Sequence, residues 1–177
     1  MENGLKIKIL EKEDIPKILE VLKEPYMLNR AEQYKIYWNR CCEQNISKDR
    51  VSFLACSENQ VAGYVNLLFQ SDYPDFKEKK IPEINDLYVV PRHRKNGIGK
   101  RLLDTCEKYA KESGYQSIGL GVGLYKDYGS AQRLYTTNGY VLDGNGLLYG
   151  NAPVSPGTSV FVDDDLLLYL VKDIQNI

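Results

Sequence analysis

The sequence predicts an α/β protein of the α+β type, in which helices pack on a mixed β-sheet. The first observation is residues 84–109, where an apolar, β-branched run stops at Pro91 and an amphipathic helical pattern follows. The second is a pair of apolar runs, residues 51–56 and 60–69, separated by a short polar turn that is typical of a β-hairpin. Strand-like and helix-like patterns therefore alternate along one chain.

The other elements follow from their periodicity. Residues 5–10 alternate apolar side chains with lysine and predict a first, half-buried strand. Residues 30–45 place apolar and aromatic side chains on one face of a helix. Residues 71–80 are polar, contain Pro74 and predict a mobile loop. Later strands are predicted at residues 117–124, 140–149 and 166–171, with a long connection rich in proline and glycine at 150–165.

Composition and charge limit the classes of protein and partner. The chain has 177 residues, of which 43 % are hydrophobic and 27 % charged, and this predicts one domain over residues 1–177. A pI near 5.9 argues against a nucleic-acid partner. The chain lacks both a membrane-length apolar run and a signal-peptide pattern, so we expect a cytoplasmic protein without a membrane partner. Four cysteines without metal-ligand spacing and a single histidine predict reduced thiols and no metal.

A basic turn, residues 94–100, joins the central strand to its helix and contains Gly97 and Gly99. Glycine allows a backbone to approach a ligand closely, and the first N–H groups of a helix have no intrahelical acceptor. Those N–H groups and the positive end of the helix dipole favour phosphate. The turn therefore predicts a phosphate site rather than a solvated loop, because positive side chains are concentrated around it: Arg92, Arg94, Lys95, Lys100 and Arg101, with His93.

Two common phosphate-binding motifs are excluded by the residues of this turn. A P-loop needs glycine five residues before Gly99 and serine or threonine after Lys100, and the chain has Arg94 and Arg101 there. No Gly-x-Gly-x-x-Gly sequence follows the strand, so the dinucleotide fingerprint is absent as well. A phosphate site at this turn would therefore belong to another class.

The turn resembles motif A of the GNAT superfamily, the acyl-CoA-dependent N-acetyltransferases. That motif reads Arg/Gln-x-x-Gly-x-Gly/Ala after a strand that ends in Val-x-Pro, and this chain matches it with Arg94, Gly97 and Gly99 after Val89 and Pro91. The second GNAT signature, Ala-x-x-Leu-Tyr-x-x-x-Gly-Phe, is similar to the run of Ala131, Tyr135, Gly139 and Tyr140. The chain departs from this signature at one position, because the asparagine often found three residues before the alanine is Tyr128 here. The coenzyme contact that this asparagine makes in the family therefore stays open for this chain.

The resemblance implies a fold, a donor and a set of contacts. The expected GNAT fold is a mixed, mainly antiparallel sheet of about seven strands flanked by about four helices, with strands four and five parallel and splayed. The donor is acetyl-CoA, whose pyrophosphate the turn amides hold and whose pantetheine arm pairs with the preceding strand. The implied coenzyme-binding residues are Leu87, Val89, Arg94, Lys95, Asn96, Gly97, Ile98, Gly99 and Lys100. The other implied partner is a small-molecule or peptide amine acceptor, and a homodimer stays open.

The implied reaction is attack of a neutral amine on a thioester. A lysine-like amine has a pKa near 10.4, so its deprotonation at pH 7 costs about 4.6 kcal/mol and a base is useful. The resemblance assigns this base to Glu83, six residues before Val89. Asp86 is the alternative base, and regular strand alternation would send it to the opposite face. The resemblance assigns the acid that protonates the leaving thiolate to Tyr135, against a purely packing role.

Three further features allow both a structural and a functional interpretation. The alternating glycines at 119, 121 and 123 leave one strand face bare, for close packing or for a groove. The acidic run 163–165 is either solvated or steers a cationic acceptor. In GNAT proteins the first helices line the acceptor pocket, so helically spaced aromatic residues belong to the core or to that pocket: Tyr26, Tyr34, Tyr37 and Trp38.

The sequence as a whole predicts an N-acetyltransferase that moves an acetyl group from acetyl-CoA to a primary amine in a ternary complex. The alternative is a non-catalytic acyl-CoA-binding module or sensor with the same fold. A third interpretation, a nucleotide-phosphate binder, uses the basic turn in another way.

Overall fold

The computed structural model of the chain describes residues 4–22 and 30–177, and the elements below lie in these ranges. The strands are β1 Lys6–Ile9, β2 Arg50–Ser57, β3 Gln60–Leu68, β4 Glu83–Val89, β5 Ser117–Gly123, β6 Val141–Tyr149, β7 Ala152–Pro153 and β8 Leu166–Asp173. The helices are α1 Ile15–Val21, α2 Ala31–Ser47, α3 Pro74–Lys79, α4 Ile98–Glu112 and α5 Gly129–Thr137.

The strands form one mixed sheet in the order β1-β2-β3-β4-β5-β8-β6-β7. The β1–β2, β2–β3, β5–β8, β6–β8 and β6–β7 pairs are antiparallel. Strands β4 and β5 pair in parallel, Glu83 opposite Gly119 and Ile84 opposite Leu120. The predicted fold class and the parallel fourth and fifth strands are therefore confirmed. The eighth strand is the short β7, which lies within the predicted connection 150–165.

Contacts between Cα atoms divide the chain into two compact units, Met1–Leu68 with Asp86–Cys106, and Phe69–Asn85 with Glu107–Ile177. The interpretation of residues 1–177 as one domain stays a prediction. Within the described ranges, the helices are too short or too polar to cross a bilayer.

The core of the first unit lies beside the β1–β2–β3 meander. Its buried members come from α1, α2 and these strands: Leu10, Ile15, Ile18, Leu22, Trp38, Cys41, Cys42, Leu54 and Val61. Each fully buried Leu or Ile side chain contributes about 1.5–3 kcal/mol to stability. The helical stripe predicted in residues 30–45 therefore does bury one face of α2.

The second unit contains a helix that the sequence analysis assigned to a mobile loop. Residues 71–80 include α3, and Pro74 occupies its first turn, where the fixed φ of proline suits a helix. Phe76 of α3 is fully buried and packs with Tyr73, Leu148 and Tyr169. The loop prediction was wrong because this helix is held by the burial of two aromatic rings, which a polar composition hides.

The alternating glycines of β5 are covered by aromatic rings. A Cβ atom built on Gly119 would lie 2.2 Å from the ring of Phe76, and one on Gly123 would lie 2.5 Å from the ring of Tyr128. A Cβ on Gly121 would meet the ring of Tyr169 at 3.1 Å. The groove interpretation is therefore wrong at these positions. The glycines make room for rings instead.

We expect Gly119→Ala to lower the free energy of unfolding by about 1–3 kcal/mol, because the added methyl group displaces the fully buried ring of Phe76. Gly129→Ala is the matched control. Nothing lies within 4 Å of its added Cβ, and its φ of −57° is helical, so we expect a gain of about 0.5 kcal/mol. Urea unfolding measures both variants. Equal midpoints would show that the space over Gly119 is open.

Candidate functional site

The basic turn enters α4 through two residues in left-handed conformation. Lys95 has φ 62° and Gly97 has φ 75°. The N–H of Arg101 donates to the carbonyl of Gly97 over 3.1 Å, so Gly97 directly precedes the first turn of α4. The amides of residues 98–100 therefore occupy the helix positions that have no intrahelical acceptor. Nothing lies within 4 Å of a Cβ built on Gly97, so a ligand can approach the backbone there.

The basic side chains of the turn are exposed, but some of them are already engaged in contacts and are less available to an anion. Arg94 donates from Nε to the carbonyl of Val89 over 2.9 Å, and its guanidinium lies 5.8 Å from the centre of the Tyr88 ring. Lys100 forms an ion pair with Asp104 at 2.6 Å, one helical turn later. Lys95 is exposed and takes part in none of the described ion pairs. The charge available to an anion is therefore smaller than the count of basic residues suggests.

The remaining predicted coenzyme-binding residues differ in exposure. Leu87 and Val89 are half-buried on β4, Asn96 is exposed, and Gly99 is half-buried at the start of α4. The side chain of Ile98 is 5 % exposed, so this residue can offer a ligand its main chain only.

Glu83 lies at the start of β4 and is buried, with 6 % of its surface exposed. The hydroxyl of Ser71 is hydrogen-bonded to Glu83 Oε2, and Ser71 itself is 2 % exposed. The backbone N–H of Tyr73 donates to Ser71 Oγ over 3.0 Å. Because the serine oxygen accepts that bond, its own proton is directed to the carboxylate. This bond fixes the direction of the Glu83 side chain.

A second group of polar side chains surrounds the hydroxyl of Tyr73, two residues after Ser71. Its hydroxyl donates to Asp143 Oδ2 over 2.6 Å and accepts from Asn145 Nδ2 over 2.8 Å. Its ring stacks on Tyr169 with centroids 3.8 Å apart. Burial, followed by the bond to Asp143, raises the pKa of Tyr73, so this hydroxyl remains protonated. The segment is therefore held at two residues, at Ser71 by its bond to Glu83 and at Tyr73 by its hydroxyl and its ring.

Tyr135 is buried on α5, with 7 % of its surface exposed. Its ring centroid lies 6.0 Å from that of Tyr140, which is buried as well. Lys172 lies 5.6 Å from the Tyr140 ring and pairs with Glu107 at 2.7 Å. Helix α5 is tied to the end of β5 because Gln132 donates to the carbonyl of Gly123 over 2.8 Å.

Tyr128, which stands where the family signature often has asparagine, contacts the acidic run 163–165. The hydroxyls of Tyr125 and Tyr128 both donate to Asp164 Oδ1, at 2.5 and 2.9 Å. Tyr149 donates to Asp163 Oδ2 over 2.9 Å. Burial and the bond to Asp164 raise the pKa of Tyr128. The carboxylates of Asp163 and Asp164 therefore accept hydrogen bonds from tyrosine hydroxyls. Neither interpretation of the acidic run, as solvated or as steering a cationic acceptor, had predicted these bonds.

A hydrogen-bond network joins α2, β2, β3 and β4 in the first unit. Tyr37 donates to Asp86 Oδ2 over 2.5 Å, and its oxygen accepts from Arg50 and from Asn66, both at 2.9 Å. Asn66 also donates to Asp86 Oδ2 over 3.2 Å and is fully buried. Burial and the Asp86 charge raise the pKa of Tyr37, so the phenol stays neutral. Burial also raises the pKa of the Cys41 thiol, which accepts from Arg50 over 3.1 Å.

Beside this network lies a cavity of about 380 Å³. Its lining residues, defined here as the aromatic pocket, are Arg30, Gln33, Tyr34, Tyr37, Trp38, Tyr64 and Asp86. Three of the aromatic residues predicted for an acceptor wall are among them, and the fourth, Tyr26, lies outside the described residues. A cavity of about 450 Å³ in the second unit, near Lys79 and Ser117, contains none of the predicted site residues.

Sequence reasoning missed Ser71, Asn66 and Tyr64. Ser71 falls in a segment that was interpreted as a loop, and a lone serine carries no pattern. Asn66 and Tyr64 lie on β3, where they were counted only as members of a strand. The signal that could have found Asn66 is its polarity between Val65 and Leu67 in an apolar strand, since a buried amide needs partners.

Comparisons with known proteins agree with this architecture. The model of the acetyltransferase (GNAT) family matches residues 15–140. Human (Homo sapiens) N-acetyltransferase 8 is 34 % identical over 88 residues, which are 50 % of this chain and 37 % of that protein. The uncharacterized N-acetyltransferase YhfO of Bacillus subtilis (strain 168) is 33 % identical over 98 residues, which are 54 % of this chain and 61 % of that protein.

Similarity in fold extends further than similarity in sequence. The PaiA N-acetyltransferase of Thermoplasma acidophilum, solved in complex with coenzyme A, has a TM-score of 0.64 at 19 % identity, over 96 % of this chain and 99 % of that one. The chain spans 37 % and 61 % of the lengths of the two sequence relatives. The family match runs from the start of α1 to the residue before β6, and the chain therefore belongs to the acetyltransferase (GNAT) family.

Proposed function

We propose that the protein is an N-acetyltransferase that moves the acetyl group of acetyl-CoA to a primary amine in a ternary complex. The observation that carries the proposal is the basic turn, with Gly97 in left-handed conformation directly before α4 of a GNAT-family chain. Its free helix amides and exposed cations fit a pyrophosphate, which is the charged part of coenzyme A. Leu87 and Val89, on β4 just before the turn, would contact the pantetheine arm.

Glu83 is the base in this proposal. The amine must lose a proton as its nitrogen bonds to the thioester carbon, and a carboxylate can take that proton directly or through a water. Glu83 is buried and oriented by Ser71, whereas Asp86 is exposed and already accepts two hydrogen bonds on Oδ2. A fixed, partly desolvated carboxylate is the better candidate for this role.

Tyr135 is the acid. The bond between the acetyl carbon and sulfur breaks as the new amide forms, and the leaving thiolate needs a proton. Its thiol pKa is about 8.5, so a neutral phenol can supply that proton in the transition state. Glu83 and α5 are attached to β5 at opposite ends, opposite Gly119 and at Gly123.

The direct test measures two quantities on the purified chain, the affinity for coenzyme A by calorimetry and thiol release from acetyl-CoA with a panel of amines. We expect micromolar binding and amine-dependent thiol release. Binding without thiol release for every amine would favour the non-catalytic module. Competition by ATP or NAD with equal affinity would favour the nucleotide-phosphate binder.

Gly99→Glu should weaken coenzyme A binding at least tenfold, because it places a bulky negative side chain where the pyrophosphate is expected. Calorimetry measures the dissociation constant. Gly4→Glu is the matched control, since it adds the same charge in the same unit at an exposed residue with open space around it. Undiminished binding by the Gly99 variant would contradict the assignment of the turn.

Tyr135→Phe should lower kcat about 100-fold and change the acetyl-CoA dissociation constant little, because it removes an interaction made mainly in the transition state. Tyr140→Phe controls for the loss of a neighbouring buried hydroxyl and should keep kcat within a few-fold. Steady-state thiol release and calorimetry give both constants. A normal kcat in the Tyr135 variant would leave this residue with a packing role.

Ser71→Ala should lower kcat/KM for the amine about tenfold and leave the acetyl-CoA dissociation constant nearly unchanged, because the carboxylate of Glu83 loses the hydrogen bond that orients it. Ser71→Thr keeps the hydroxyl and should restore most of the activity. Thermal unfolding monitors the stability of both variants. A lower stability with an unchanged kcat/KM would mean that Ser71 only supports the fold.

A further inference from the structure

The walls of the aromatic pocket are rings that meet edge to face. The centroids of Tyr37 and Trp38 are 5.0 Å apart with planes at 75°, and those of Trp38 and Tyr64 are 4.8 Å apart at 80°. Trp38 is 1 % exposed and belongs to the core, so its position is fixed. The rings of Tyr34, Tyr37 and Tyr64 are half-buried and line the cavity, and aromatic rings attract organic cations.

Asp86 adds a negative charge to this space in an unusual backbone conformation. Its φ is 52°, in the left-handed region that costs a non-glycine residue about 1–2 kcal/mol. The conformation is maintained by the bonds from Tyr37 and Asn66, and Ser52 fixes the amide of Asn66 by donating to its oxygen over 2.6 Å. A strained residue that buried partners hold in place is a sign of function.

The charge of Asp86 is only partly balanced. The hydrogen bonds from Tyr37 and Asn66 both go to Oδ2, and among residues 4–22 and 30–177 no lysine or arginine forms an ion pair with this carboxylate. Arg50 lies one hydrogen bond behind it, on the far side of the Tyr37 hydroxyl, and Arg30 is exposed at the edge of the pocket. As far as the described residues go, Oδ1 accepts no hydrogen bond, and a positive ligand can bind it.

The group that fits the pocket is not the amine that reacts. A carboxylate and aromatic faces stabilise the protonated form of an amine, whereas attack on a thioester needs the neutral form, which already costs about 4.6 kcal/mol at pH 7 for a lysine-like amine. The pocket is therefore suited to a second basic group of the same acceptor. Asp86 directly precedes Leu87, which we assign to the acyl arm, so one molecule can reach both.

We propose that the aromatic pocket binds the non-reacting ammonium group of a dibasic acceptor, such as a linear alkyl diamine, and so selects diamines over monoamines. The inference rests on the proposed acetyltransferase function in one respect, namely that the second nitrogen of the diamine is the one acetylated. The cation site itself rests on the pocket alone.

Calorimetry with the full chain, without acetyl-CoA, tests the site directly. The probes are α,ω-diamines of three to six carbons and butylamine, as chlorides at pH 7.5 and equal ionic strength, with butanol as the uncharged probe. We expect the diamines and butylamine to bind at least tenfold more tightly than butanol, because the pocket holds one ammonium group. Trp38 is the only tryptophan of the chain, so a change in its fluorescence places the ligand in the pocket. Equal affinities for the amines and butanol would overturn the proposal.

Asp86→Asn removes the charge and keeps an oxygen for Tyr37, and asparagine tolerates the left-handed conformation. We expect this variant to bind the amines no more tightly than butanol. Tyr64→Leu keeps Asp86 and removes one ring, and we expect it to weaken amine binding several-fold. Asp49→Asn, an exposed carboxylate of the same unit, is the matched control and should bind as the unmodified chain does. Amine binding that survives both pocket substitutions unchanged would overturn the proposal.

Thiol release with the same amines separates the two proposals. We expect the ratio of kcat/KM for the diamine to that for butylamine to fall at least tenfold in Asp86→Asn. Diamine binding in the pocket without any acetyl transfer would retain the cation site and refute the acetyltransferase proposal. Acetyl transfer without a diamine preference would retain the acetyltransferase and refute the cation site.

Discussion

The left-handed conformation of Asp86, within β4, is the constraint on which the proposed chemistry depends. A regular strand would place the carboxylates of Glu83 and Asp86 in a fixed alternation. With φ at 52°, Asp86 departs from this regular strand conformation, and its carboxylate accepts from Tyr37 and Asn66, whereas that of Glu83 accepts from Ser71. The two acids can then differ in burial, and so in the role that each can take.

The parts of the protein that could be predicted from sequence are those that local chemistry determines. The basic turn combines glycines, a proline stop and an amphipathic helix within a few residues, and the hairpin of β2 and β3 needs only alternation and a polar turn. Helix α3 and Ser71 could not be found in this way, because Phe76 and Ser71 are buried by residues distant in the chain. The pocket shows the same limit: the spacing of Tyr34, Tyr37 and Trp38 on α2 was visible, whereas Tyr64 and Asp86 join them only through the tertiary fold.

For the glycines of β5, the predicted strand pattern is correct, but the groove inferred from it is not present. Their alternation does leave one strand face without side chains, as expected. The face is nevertheless filled, since Phe76, Tyr169 and Tyr128 contribute rings that need the room a Cβ would take. Tyr128 also donates to Asp164, so the residue that departs from the family signature has a structural role.

The two proposed recognition elements of the first unit carry opposite charge and obtain their affinity by different means. The basic turn is exposed, its Lys100 is paired with Asp104, and charges in water are screened within roughly 10 Å. Its contribution to binding must therefore come largely from backbone amides that are already oriented. The Asp86 carboxylate lies beside aromatic rings, which can add cation–π attraction to its charge. Tyr88 contacts both elements, as its ring stacks on Tyr64 at 5.4 Å and lies under Arg94. A fixed turn for the anion and a fixed pocket for the cation would orient donor and acceptor before any bond is formed.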